Sequence, residues 1–149
     1  MKSFHNSEIK NQNNLTKLES NITEINNSPE KIFNFLCNLN NFEKLMPEQI
    51  INWKSTEDSC SFTIKGMTNL SLCISEKIPF SKIIIIPGNN APFSFNLICQ
   101  LEETKTNYTA AQIIFNAELN MMMEMLAKRP LQNFINMLAS KLKELGDKL

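Results

Sequence analysis

Side chains able to do acid–base, nucleophilic or metal chemistry are few in this chain and poorly grouped. The only histidine, His5, stands in a polar leader, MKSFHNSEIKNQNN. A Ser-His-Asp triad, a Cys-His pair or a His-based zinc site would have to recruit that residue. Aspartate occurs only at Asp58 and Asp147, and neither sits in a calcium-loop spacing. Cys37, Cys60, Cys73 and Cys99 form no CxxC pair, and no basic neighbour in sequence lowers a thiol pKa. They read as reduced, mostly buried thiols of a cytoplasmic protein. Three glycines in 149 residues cannot crowd backbone N–H groups against a phosphate as a dinucleotide fingerprint or a P-loop must. Fifteen basic and fifteen acidic residues cancel, so no basic field collects nucleic acid. No metal and no cofactor is expected.

What remains is two carboxylates and an apolar cluster. Glu76 shares alternation parity with Leu70, Leu72, Ile74 and Ile78. In a regular strand its carboxylate points inward, where burial raises its pKa and makes it an anchor or an acid–base group. A strand end or a bulge would turn it to solvent instead. Glu124 opens the last helical segment, where it either faces the interior or complements the helix dipole. Met121, Met122, Met123 and Met125 precede Leu126. Such flexible, polarizable side chains suit a pocket for varied apolar ligands, or fill gaps under a helix.

The elements that must position these residues follow from pattern. Residues 1–14 are polar and aperiodic, a flexible tail, and 15–149 read as one domain. No N-terminal signal peptide is recognised, and no apolar run approaches the ~20 residues of a bilayer span. Leu15 to Asn26 is strand-like, with Leu18 and Ile22 in phase. Ser28-Pro29-Glu30 starts a helix, and Asn40 caps a second short one that Pro47 stops. Six strands follow, with apolar faces carried by Ile51 and Trp53, by Cys60, Phe62 and Ile64, by Leu70, Leu72 and Ile74, by Lys82–Ile86, by Phe93 to Leu101, and by Ala111 to Leu119. Met121 to Leu145 is a long helix whose Leu131, Phe134, Ile135, Leu138 and Leu142 recur at three- and four-residue steps. Pro130 predicts a kink or break there. Short turns make the strands antiparallel. Only the last helix, about 37 Å long at 1.5 Å per residue, can cover their apolar face.

This order resembles the helix-grip, START-like superfamily, also called SRPBCC, and within it small bacterial polyketide cyclase/dehydrase-like proteins of unassigned activity. The likeness rests on the first strand running into SPEKIFNFLCNLNNFEKLMP, on the seven-strand count, and on the closing helix PLQNFINMLASKLKEL. NWKSTEDSCSFTIKGM and MMMEMLAKRPLQNF add to it. It implies an α+β fold: a seven-stranded curved antiparallel sheet around a long C-terminal helix, with two short helices between strands 1 and 2. It also implies a cavity for hydrophobic ligands, and no shared catalytic residue.

The residues read as inward supply the chemistry of that cavity. From the sheet these are Trp53, Phe62, Ile64, Leu72, Ile74, Phe93, Phe95, Leu97, Ile113 and Phe115. From the helix they are Met122, Met123, Met125, Leu126 and Phe134. The expectation is a carrier for a lipid, isoprenoid or polyketide-like molecule, without stable membrane insertion, as a monomer or weak homodimer. The alternatives are an interaction module with a filled cavity, or a cyclase/dehydratase-type enzyme using Glu76 or Glu124.

Overall fold

The computed structural model describes residues 15–66, 68–89 and 91–149; the tail expected over 1–14 lies outside the described residues. The fold is α+β, a curved antiparallel sheet with a long C-terminal helix. Its first strand comes in two pieces, β1 (Leu15–Glu19) and β2 (Thr23–Ile25), so the sheet counts eight segments where sequence suggests seven. Both pieces pair with β8 (Tyr108–Glu118). At the break Ser20 is buried; its Oγ accepts from the Ile113 N–H at 2.9 Å and its own N–H donates to the Ile113 carbonyl at 2.8 Å. The interruption shifts phase. Leu18 stays inside, Ile22 is 67% exposed, and Ile25 becomes the next buried residue.

Helix α1 (Pro29–Leu36) begins where expected: Ser28 Oγ accepts from the Lys31 N–H at 3.3 Å, and Pro29 costs no hydrogen bond in the first turn. Ile32, Phe33 and Leu36 face the core. The second short helix is a 3-10 segment (Leu39–Leu45), capped by Asn38 rather than Asn40, with Leu39, Phe42 and Leu45 buried three residues apart. The rest of the sheet is β3 (Ile50–Ser55), β4 (Ser59–Ile64), β5 (Asn69–Ile78), β6 (Lys82–Pro87) and β7 (Phe95–Lys105). They lie in the order β1-β8-β7-β6-β5-β4-β3.

Helix α2 (Met121–Gly146) closes the chain. Asn120 caps it, its Oδ1 accepting from the Met123 N–H at 2.8 Å. It runs through Pro130 without the break that was one of the two outcomes expected there; the surface is exposed, so water can satisfy the carbonyl that proline leaves unpaired. Ile135, Leu138, Ala139 and Leu142 are buried in one core with Leu18, Ile25, Ile32, Leu36, Leu97, Ile113 and Leu119. The helix packs on β8, β2, β1 and the 3-10 segment.

Its two ends are held very differently. At the C-terminal end the Asn26 N–H donates to Asp147 Oδ1 at 2.8 Å, and Asn27 Nδ2 donates to the Gly146 and Leu149 carbonyls at 3.0 and 2.8 Å. Lys143 Nζ donates to the Glu24 carbonyl at 2.7 Å. Midway, Gln132 Nε2 donates to the Glu19 carbonyl at 2.8 Å, and Asn136 Oδ1 accepts from the Asn21 N–H at 3.2 Å. Thus one long side of α2 is laced to the β1–β2 edge from Gln132 onward. In the first ten residues of α2 only Met123, Glu124 and Ala127 are even half-buried.

A sheet–helix groove as the candidate ligand site

The inward row of the sheet grades from sealed to open. Phe62, Leu72, Leu97, Ile113 and Phe115 are buried. Trp53, Ile64, Leu70, Ile74, Phe93 and Phe95 pack on the core while only half-buried. Aromatic rings dominate this open part. Trp53 stacks on Phe62 at 5.4 Å, Phe95 stacks on Phe115 at 5.1 Å, and Phe93 lies tilted on Phe95 at 5.6 Å. Trp53 Nε1 is buried and pairs with no acceptor among the described residues. A buried unpaired N–H costs about 1–3 kcal/mol.

Where the β3–β4 side of the sheet meets α2, a groove of about 520 Å³ opens. Its walls are Leu45 to Gln49 on one side, Lys65 just past β4, and Met137 with Lys141 on α2. Met137 and Lys141 stand one turn apart, and Phe134 lies one turn before Met137 on the same side of the helix. Leu45 is buried and Met46 packs on the core, so the groove floor is continuous with the interior. The volume falls in the range of small-molecule sites, roughly 300–1,000 Å³. A second recess of about 360 Å³ involves Asn52, Lys54, Phe62, Thr63, Asn69 and Leu70.

Several residues expected inside are elsewhere. Met123 and Phe134 pack against the core. Met122, Met125 and Leu126 do not: they are 71%, 80% and 74% exposed, and Met121 is 81% exposed. They follow one another at one- and three-residue steps and form a second apolar stripe, turned away from the Ile135–Leu138–Leu142 row. Of the two orientations open to Glu76, the structure shows the solvent-facing one. A register shift between Ile74 and Glu76 inserts one residue into β5 and moves Glu76 opposite Ile84, on the solvent side. Lys77 then falls opposite buried Ile83 and pairs with Asp58 at 2.9 Å. Glu124 is half-buried in the first turn of α2, 3.9 Å from Lys128. Neither carboxylate lines either cavity.

Cys37, Cys60 and Cys99 are held as thiols. Burial pushes both Cys60 and Cys99 up to about 12, against a smaller lowering of Cys60 by a backbone hydrogen bond from Leu72, and burial also raises Cys37. No group of three or more His, Cys, Asp and Glu is placed to hold a metal among the described residues. No described helix is long and apolar enough to cross a membrane.

No local sequence pattern marks Lys65, Lys141 and Met137, because the groove forms only when residues from distant strands and the last helix meet.

Comparison with solved structures decides the architecture. The di-domain ARO/CYC protein StfQ of the steffimycin biosynthetic pathway superposes with a TM-score of 0.72 at 8% identity, over 95% of this chain and 53% of that one. Norcoclaurine synthase of Thalictrum flavum, a point mutant in complex with a transition-state analogue, gives 0.71 at 8% identity, over 90% and 95%. A START superfamily protein from Mycobacterium smegmatis gives 0.63 at 12% identity, over 88% and 98%. The fold is the START-like helix grip. No protein-family model matches the chain, and no curated protein matches it by sequence. At such identities the likeness is one of fold, and function must be argued from the site.

Proposed function

We propose that the protein binds and carries a hydrophobic small molecule of lipid, isoprenoid or polyketide type, seated between the sheet and α2. One observation supports this reading: a groove of about 520 Å³, lined on its apolar side by Leu45, Met46, Pro47 and Met137, opens beside α2. Apolar surface left partly wet gains about 25 cal/mol per Å² when a ligand covers it. The helix-grip enzyme seen with a transition-state analogue supports the idea that this fold can hold a small organic molecule. A cyclase or dehydratase activity is favoured less, because Glu76 and Glu124, its two candidates, stand outside the groove.

The test is displacement of the neutral fluorescent probe N-phenyl-1-naphthylamine, with native mass spectrometry of freshly purified protein. The expected result is saturable probe binding that Met137→Asp weakens at least fivefold. Probe that never binds, together with no retained or added apolar ligand, overturns the reading.

A second reading, self-association through an interaction surface, is favoured by the exposed stripe of Met121, Met122, Met125 and Leu126. Sedimentation at rising concentration tests it: a dimer that Met122→Glu with Leu126→Glu dissolves supports it, and a monomer throughout removes it.

A further inference from the structure

We infer that the groove selects an anionic amphiphile, with its carboxylate or phosphate head between Lys65 and Lys141 and its chain against Met137, Leu45 and Met46. This rests on the binding reading above and names the ligand class of the same site.

The lining has two distinct parts. Its floor is apolar and joins the core: Leu45 is buried, Met46 packs beside it, and Met137 forms the helix wall. Its rim is polar, and the two ammonium groups rise from opposite walls, one just past β4 and one on α2. That division of apolar floor and charged rim matches a molecule with one apolar end and one charged end.

The sign of the rim follows from its partners. Lys65 makes no ion pair among the described residues. Lys141 has only Glu144, at 3.6 Å and three residues on, in a solvent-exposed pair that contributes little and rearranges readily. The one carboxylate on the lining is Glu48, which is exposed. On the lining itself two cations face one acid; Glu144, which offsets Lys141, stands off the lining in an exposed pair that an entering anion can displace. An anionic head entering there exchanges a weak exposed pair for charge-assisted hydrogen bonds to lysine, which suits carboxylate and phosphate alike. A neutral head of the same chain length gains only the apolar contact.

The experiment compares decanoate, decyl phosphate and 1-decanol by displacement of the same neutral probe, at low and at 0.5 M salt. The unmodified protein should bind decanoate or decyl phosphate at least tenfold tighter than decanol, and salt should narrow that gap. The stronger of the two anions identifies the head as carboxylate or phosphate. Lys65→Gln with Lys141→Gln should abolish the preference, bringing the affinities of the three compounds to within about threefold of one another. Both side chains are at least partly exposed, so the melting temperature should be unchanged, and the melt separates lost binding from lost fold. Equal binding of all three compounds overturns this inference and leaves the binding reading intact. Binding of none overturns the binding reading itself.

Discussion

Gly146 tests the way the helix is gripped. A Cβ added there would lie 2.7 Å from Ile25 Cγ2 and 3.0 Å from Ile32 Cδ1, both on side chains with no exposed surface. Two effects oppose each other in Gly146→Ala. Alanine favours the helix over glycine by up to about 1 kcal/mol, and by less at a last turn. Forcing a methyl into a filled core costs about 1–3 kcal/mol. Since two elements, β2 and α1, would have to give way together, the clash wins, and a net loss of about 1 kcal/mol is expected. For a chain of this size that lowers Tm by about 2–4 °C. The background Ile25→Ala, itself costing about 2–5 kcal/mol, removes the closest atom. There Gly146→Ala should become neutral or stabilising, a coupling of about 1–2 kcal/mol between the sites. Thermal and urea melts followed by far-UV circular dichroism read both legs of the cycle. A Tm raised by Gly146→Ala in the unmodified protein, or an equal effect in both backgrounds, refutes the packing argument.

Other consequences concern charge, thiols and the outer stripe. The Asp147 carboxyl is held below its ordinary range, chiefly by the Asn26 N–H and then by Lys143. A lowered folded-state pKa gives stability that is present above the unfolded value and lost as pH falls through the folded one. Asp147→Asn should therefore lower the urea midpoint at neutral pH, and the gap to the parent should close below about pH 4. Cys60 and Cys99, both pushed up to about 12 by burial, should react with a disulfide reagent at pH 8 only as fast as the protein opens, and at once in denaturant. Peroxide should convert Met121, Met122 and Met125 to sulfoxides ahead of Met123 in a peptide map, with Tm nearly unchanged, since those three side chains already face water.

Much of the architecture was legible because the strands announce themselves. Along β8 the residues Ala111, Ile113, Phe115 and Ala117 alternate without interruption, and all four are buried. The Ser28-Pro29 start and the Leu138–Leu142 row of α2 were equally plain. What failed were positions where one residue of phase decides the face. Alternation breaks in β5 between Ile74 and Glu76, and in β3 between Ile51 and Lys54, where Asn52 adopts a φ of 58°. A one-residue slip turns every later side chain to the other side, and no residue type marks it in advance. The Met-rich segment failed for a different reason. Its first half carries apolar residues on two faces, and composition alone could not say that Met123 turns to the core while Met122 and Met125 turn to water. The groove rim was invisible because Lys65 and Lys141 look like ordinary surface lysines until the fold sets them across one opening.

The central claim is that an apolar molecule enters between the sheet and α2. Backbone amides along the groove make it directly observable. Titration of isotope-labelled protein with 1-decanol and with the decyl anion that binds better, followed by proton–nitrogen correlation NMR, should shift the amides of Met46, Gln49, Lys65, Met137 and Lys141. Shifts confined to Met121–Leu126, or a spectrum that neither compound changes, would contradict the account.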